Sequence, residues 1–167
     1  MKLMSANIED LRSLYISHLK KALDMEQKIT KALPELIDKS TDSELSSAFR
    51  THLEETRGHV SKVEQLLQKN AGKTETVTCK AIDGLSTEAS DTIKDVTDPE
   101  IRNVALIGAA QQVEHHEIAV YGTLRRWADL LGLTDDSRIL LSIEKDEANA
   151  DKILTQISER VNVQAAA

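Results

Sequence analysis

The sequence holds one cysteine, two prolines, six glycines, one tryptophan, one phenylalanine and two tyrosines in 167 residues. With Cys79 alone, no intramolecular disulfide framework can staple the chain, and such usage fits a reducing cytosol. The scarcity of aromatics and of chain-breaking residues favours helix over sheet. Positive charge is also short: 21 Lys and Arg stand against 28 Asp and Glu, a net charge of −7, with no basic tail. That balance disfavours nucleic-acid binding by phosphate neutralisation. No apolar run approaches the roughly 18 residues of a membrane span, and the opening MKLMSANIEDL is too polar for a signal-peptide core. The expectation is a soluble, cytoplasmic protein with neither nucleic acid nor membrane as partner. Nucleophile elbows, phosphate loops and paired-cysteine zinc motifs are absent, and no catalytic residue can be named.

What is present is helical periodicity. Apolar residues make up 40% and charged residues 29%, and the length suits a single domain over 1–167. From Ser5 to about Lys39, residues such as Leu11, Tyr15, Leu19, Ala22, Met25, Ile29 and Leu33 recur at steps of three and four, which predicts a long amphipathic helix interrupted near Pro34. Asp42 or Ser43 caps a second helix, carrying Leu45, Phe49, Leu53, Val63 and Leu67 to a stop at Gly72. Residues 73–98 hold a short helix within a crossover. Asp98-Pro99 opens a third long helix ending at Gly132, and Thr134-Asp135-Asp136 opens a fourth that reaches the Ala-rich ending, about 162–167, where fraying is expected. Short connections after the first and third long helices and a long one after the second predict an all-α, ferritin-like antiparallel four-helix bundle with an additional short crossover helix. The alternative is a plain up-down bundle with the short segment packed as a fifth helix.

The informative residues are acids on faces that periodicity assigns to the interior. Advancing about 100° per residue, Glu117 falls among Val113, Val120, Tyr121 and Leu124, and Glu114 lies three residues earlier on the flank. Glu147 lies one turn beyond Ile143, with Glu144 and Asp151 at spacings of three and four, and Glu26 sits one turn beyond Ala22. Of the adjacent Glu54 and Glu55, only Glu55 lies at the edge of the second helix's stripe, with His59 one turn on and His52 one turn back. A buried unpaired carboxylate costs several kcal/mol, so neighbouring ones require a cation, raised pKa values or basic partners. An acid from each long helix plus an imidazole is the donor set of a carboxylate-bridged dinuclear iron or manganese site. The candidate ligands are therefore Glu26, Glu55, His59, Glu114, Glu117, Glu147 and Asp151, while His52 is read as a satisfied interior or interface histidine. Cys79 is read as a small buried hydrophobe and Tyr121 as a packed core tyrosine.

The segments MEQKITKALPEL at 25–36, HLEETRGHVSKVEQLL at 52–67, AAQQVEHHEIAVYGTLRRWADLLG at 109–132 and EKDEANADKILTQI at 144–157 resemble the ferritin-like YciF/YciE bacterial stress-protein family over nearly the full chain. The VEHHEIAVYGTL stretch is the most specific part, followed by HLEET with Gly58. The resemblance implies a five-helix bundle, often dimeric, with a dinuclear metal site and a role in bacterial stress responses. It carries the family's recurring acids onto Glu26, Glu55, Glu114, Glu117 and Glu147, with Gln or His expected where His59 stands. The Glu-x-x-His pairs of ferritins proper are absent, since Thr56 precedes His59 by three and Ala150 follows Glu147 by three, which puts ferroxidase activity in doubt. The expectation is thus two Fe per chain, with Mn as the alternative metal, for handling peroxide or oxygen or for sequestering iron. Bridging would fall to Glu55 and to Glu147 or Glu117. A homodimer is expected, with Leu23, Ile107, Ile118 and Leu141 off the main stripes as its patch. The competing reading is a metal-independent helical scaffold or dimerisation protein of the stress response.

Overall fold

The computed structural model describes residues 8–167. The expected helix start at Ser5 and most of the MKLMSANIEDL stretch lie outside these residues. Five helices follow in order: α1 (Leu11–Lys39), α2 (Ser43–Ala71), α3 (Lys80–Asp95), α4 (Pro99–Leu130) and α5 (Thr134–Ala165). The Asp10 carboxylate accepts from the Ser13 amide, and the Asp42 and Asp98 carboxylates each accept two amides of the first turns of α2 and α4. These contacts satisfy amides that the helices themselves leave free. Gly72 ends α2 with φ of 70°, a left-handed conformation that costs glycine least. Pro34 does not end α1, which continues five residues to Lys39. At the other extreme of the chain, α5 runs through Ala165, well into the Ala-rich ending.

Contacts at the two ends fix the topology. Asn103, early in α4, bonds Thr41 in the α1–α2 turn, and Arg160, late in α5, bonds Asp42 and Glu44. At the opposite end, Asp136 at the start of α5 meets Tyr15 of α1 and Asn70 of α2. Hence α1 and α5 run one way and α2 and α4 the other, with α1 packed on α2 and α4, and α5 packed on α4 and α2. Because α2 and α4 are parallel, the chain must return the length of the bundle between them. Residues 72–98 make that return, tied to α1 by Val77 N–H to Lys20 O (3.2 Å) and Cys79 N–H to Asp24 Oδ2 (2.8 Å). This is the ferritin-like arrangement, and a plain up-down bundle is ruled out.

The core runs the length of the four long helices and extends beneath α3 through Ile82 and Ile93. Leu23 and Ile107, expected to supply a dimer patch, are buried within the chain, leaving Ile118 and Leu141 part-exposed. Among the described residues, no helix is long and apolar enough to cross a membrane.

Asp136 is fully buried and accepts from Tyr15 Oη (3.1 Å), Lys69 Nζ (2.7 Å) and Asn70 Nδ2 (2.7 Å). Removing it strands the Tyr15 hydroxyl and uncouples three helices, whereas Lys69 is half-exposed and leaves two donors in place. Asp136→Ala is therefore expected to lower unfolding stability by about 2–4 kcal/mol, and Lys69→Met by clearly less. Urea unfolding of the two variants checks the ordering.

Candidate metal centre

Midway along the bundle the apolar core gives way to six ionisable side chains: Glu26 from α1, His52 and His59 from α2, Glu114 and Glu117 from α4, and Glu147 from α5. None is more than 5% exposed. Each stands on the interior stripe of its helix because it occupies a core position by spacing. Glu117 continues the buried line Leu106, Ala110, Glu114 and precedes Tyr121 and Leu124. His52 and His59, seven residues or two turns apart, alternate with Phe49, Thr56 and Val63 on α2.

The six form two groups whose ligand atoms lie within 4.8 Å of one another: His52, Glu114, Glu117 and Glu147 in the first, and Glu26, His59 and Glu147 in the second. Glu147 belongs to both. Its Oε1 lies 2.8 Å from His59 Nδ1 and its Oε2 lies 3.8 Å from His52 Nδ1, so the two oxygens face different imidazoles. His52 Nε2 approaches Glu114 Oε1 at 3.2 Å, and His59 Nδ1 lies 3.8 Å from Glu26 Oε1. None of these approaches is aligned as a hydrogen bond. Nine buried side-chain nitrogens and oxygens among the described residues lack a hydrogen-bond partner, and all nine belong to these six residues. Native interiors leave few such groups, and each costs about 1–3 kcal/mol or more if charged.

Two of the six are anchored from outside. The Tyr121 hydroxyl donates to Glu26 Oε1, and His59 Nε2 lies 3.1 Å from Asp146 Oδ2, itself 3.5 Å from Lys62. An imidazole bonded through one nitrogen to a carboxylate presents the other in a fixed direction, as metal-ligating histidines do. Burial, then the neighbouring Glu147 charge, pushes Glu26 up to about 8. Burial and then Glu147 likewise hold Glu114 and Glu117 well above the usual carboxylate range. Burial alone would lower the His59 imidazole, but Glu147, Glu26 and Asp146 outweigh it and raise it to about 9. The cluster therefore holds protons in the folded state that the unfolded chain would release.

Of the residues singled out from the sequence, Glu26, His59, Glu114, Glu117 and Glu147 are brought together, whereas Glu55 and Asp151 stand outside both groups. Glu55 lies about 80° around α2 from the buried stripe, with a side chain 35% exposed and Oε2 3.7 Å from His52 Nδ1. Asp151 receives Gln111 Nε2 at 3.2 Å and lies 3.3 Å from His115 on the outer surface. His52 is buried as expected of an interior histidine, but neither ring nitrogen is satisfied. Its spacing of seven from His59 was the available signal. Each group thus has an imidazole, both supplied by α2, without any Glu-x-x-His pair.

Residues 10–167 match the family described as Domain of unknown function (DUF892). Protein YciF of Escherichia coli (strain K12) is 35% identical over 153 residues, covering 91% of this chain and 92% of that one. The crystal structure of that stress protein superposes with a TM-score of 0.88 at 34% identity, covering 92% and 98% of the two chains. YcfI of Rhodopseudomonas palustris superposes with the same TM-score at 38% identity and the same coverage. A Xanthomonas campestris protein, at TM-score 0.74 and 21% identity, shares the fold.

The proton balance has a stability consequence. Glu26 is raised from 4.5 to about 8 and His59 from 6.5 to about 9, so both bind protons more tightly folded than unfolded. The stability they contribute is present at low pH and lost as pH rises through the folded values. The melting temperature of the chelator-treated protein is expected to fall between about pH 5 and 9, and to fall less in Glu26→Gln. Thermal melts across that range check the sign.

Proposed function

The chain belongs to the DUF892 family, and on that footing we propose that it is a stress-associated protein whose function is to hold two iron or manganese ions in the carboxylate–histidine cluster. The carrying observation is that the nine unpartnered buried polar atoms all converge on one point in the bundle. A cluster without a cation leaves each group undercompensated, and four carboxylates with two imidazoles are a donor set suited to Fe(II) or Mn(II) over Ca(II) or Mg(II). Residence in the reducing cytosol, in keeping with the unpaired Cys79 thiol, and a homodimer belong to the same reading.

Each residue has a task in this reading. His52, Glu114 and Glu117 would hold one ion, Glu26 and His59 the other, and Glu147 would bridge them through its two oxygens. Tyr121 orients the Glu26 carboxylate and Asp146 orients His59. The surrounding leucines, isoleucines and Phe49 pack around the ligands and stiffen them. When bound, the ions would supply one-electron chemistry toward peroxide or oxygen, or a sequestered iron store. The protons now held by Glu26, Glu114, Glu117 and His59 must leave as ligands engage, so uptake releases protons and strengthens with pH.

Anaerobic loading with Fe(II) or Mn(II) tests the reading. About two ions per chain are expected, with one site at 100 times its Kd adding about 2.7 kcal/mol, equivalent to about 5–10 °C for a chain of this size. Glu147→Gln is expected to lose both ions and Glu117→Gln to weaken one, while metal-free Glu117→Gln melts near wild type because the Glu117 carboxyl already holds its proton. No bound metal and an unchanged melt would leave the metal-independent scaffold reading in its place.

A further inference from the structure

Two cavities reach the same His52–Glu114 pair from different sides of α2, and their walls differ. One, of about 260 Å³, lies between α2 and α5 and carries Glu44 and Glu55 beside His52 and Glu114. It suits hydrated cations or polar oxidants. The other, of about 70 Å³, lies beneath α3, lined mostly by apolar side chains such as Ile29, Leu33, Ile82 and Val113, with Glu35, Ser86 and Ser90 also on its walls and His52 and Glu114 lining it as well. Ligand cavities for drug-sized molecules run to about 300–1,000 Å³, so this one admits only a molecule of a few heavy atoms. Walls that are largely apolar favour apolar atoms or gases over ions. The lining at His52 and Glu114 is not inert, because both ring nitrogens of His52 and Oε2 of Glu114 are buried there without hydrogen-bond partners.

The geometry points to the cavity beneath α3 as a binding site for a small uncharged apolar molecule of diatomic size, which makes dioxygen, rather than peroxide, the oxidant delivered to the His52–Glu114 side of the cluster. The inference rests on the metal-centre reading for its chemistry and on the cavity alone for its binding. The redox step balances as two Fe(II) giving one electron each to one O₂, which takes two protons and leaves as H₂O₂. Those two protons come from solvent, since Glu114 and Glu117 give theirs up on engaging iron. Ala110, on the cavity wall and only 6% exposed, is the natural position for a plug, and the part-exposed Ala109 beside it is a milder second.

The test has two arms. In the first, the metal-free protein is exposed to xenon at several bar and methyl resonances are followed. Those of Ile29, Leu33, Ile82 and Val113 are expected to shift, and the shifts to disappear in Ala110→Leu, or in Ala109→Leu should the first fail to fold. In the second, Fe(II)-loaded protein is oxidised with dioxygen or with peroxide. The plugged variant is expected to bind Fe(II) as wild type, react with dioxygen at least tenfold more slowly, and react with peroxide within twofold of wild type. No xenon shift in the wild type, or equal slowing with both oxidants, or dioxygen oxidation unaffected by the plug, would overturn the inference. Xenon binding without any Fe(II) binding would refute the metal centre and the dioxygen role together while leaving the cavity as a gas-binding site.

Discussion

Burying the carboxylates of Glu26, Glu114, Glu117 and Glu147 in a helical core sets the terms on which the rest of this structure is built. An ionised carboxylate moved into a protein interior costs several kcal/mol even after relaxation. Two imidazoles, one tyrosine hydroxyl and retained protons offset part of that cost, and no aligned hydrogen-bond network completes it. Such a cluster persists only inside a scaffold stable enough to hold it. The arrangement is thus costly as a core, and its carboxylates and imidazoles stand close enough together to hold a metal ion.

The scaffold does its fastening elsewhere. At one end Asp136 gathers Tyr15, Lys69 and Asn70, joining α1, α2 and α5. At the other, Thr41 and Asp42 are tied to Asn103 of α4 and Arg160 of α5. Between these two fully satisfied polar clamps lie apolar layers and then the unsatisfied centre. The crossover, fastened to α1 by Val77, Cys79 and the Lys28–Asp83 pair, covers the α1–α4 groove and roofs the largely apolar cavity that His52 also lines. One connection therefore closes the topology and also shapes access to the centre.

Much of this was legible in the sequence, for identifiable reasons. Asp42, Asp98-Pro99 and Gly72 mark helix ends through local hydrogen-bonding and φ preferences that do not depend on tertiary context. The long connection after α2 implied the parallel α2–α4 pair. Glu117 and Glu147 were readable as inward because flanking apolar residues on both sides define the stripe, and the structure brings them together with Glu26, Glu114 and His59. On α2 the stripe is less sharply drawn, since His52, Glu55 and His59 share spacings of three and four. Only packing against α5 and α4 reveals that His52 faces in and Glu55 sits at the cavity mouth. Asp151 illustrates the same limit on α5: one turn beyond Glu147, it is drawn outward to Gln111 and His115. A residue at the edge of a stripe is placed by its neighbours on other helices, which no single-helix periodicity contains.

In the proposed reading Glu147 would join two cation sites, one facing each of its carboxylate oxygens. Anomalous diffraction at the manganese edge from a crystal of the Mn(II)-loaded protein tests it most directly. Two anomalous peaks are expected to flank the Glu147 carboxylate, one among His52, Glu114 and Glu117 and the other between Glu26 and His59. Peaks confined to surface carboxylates, or none within the bundle, would contradict it.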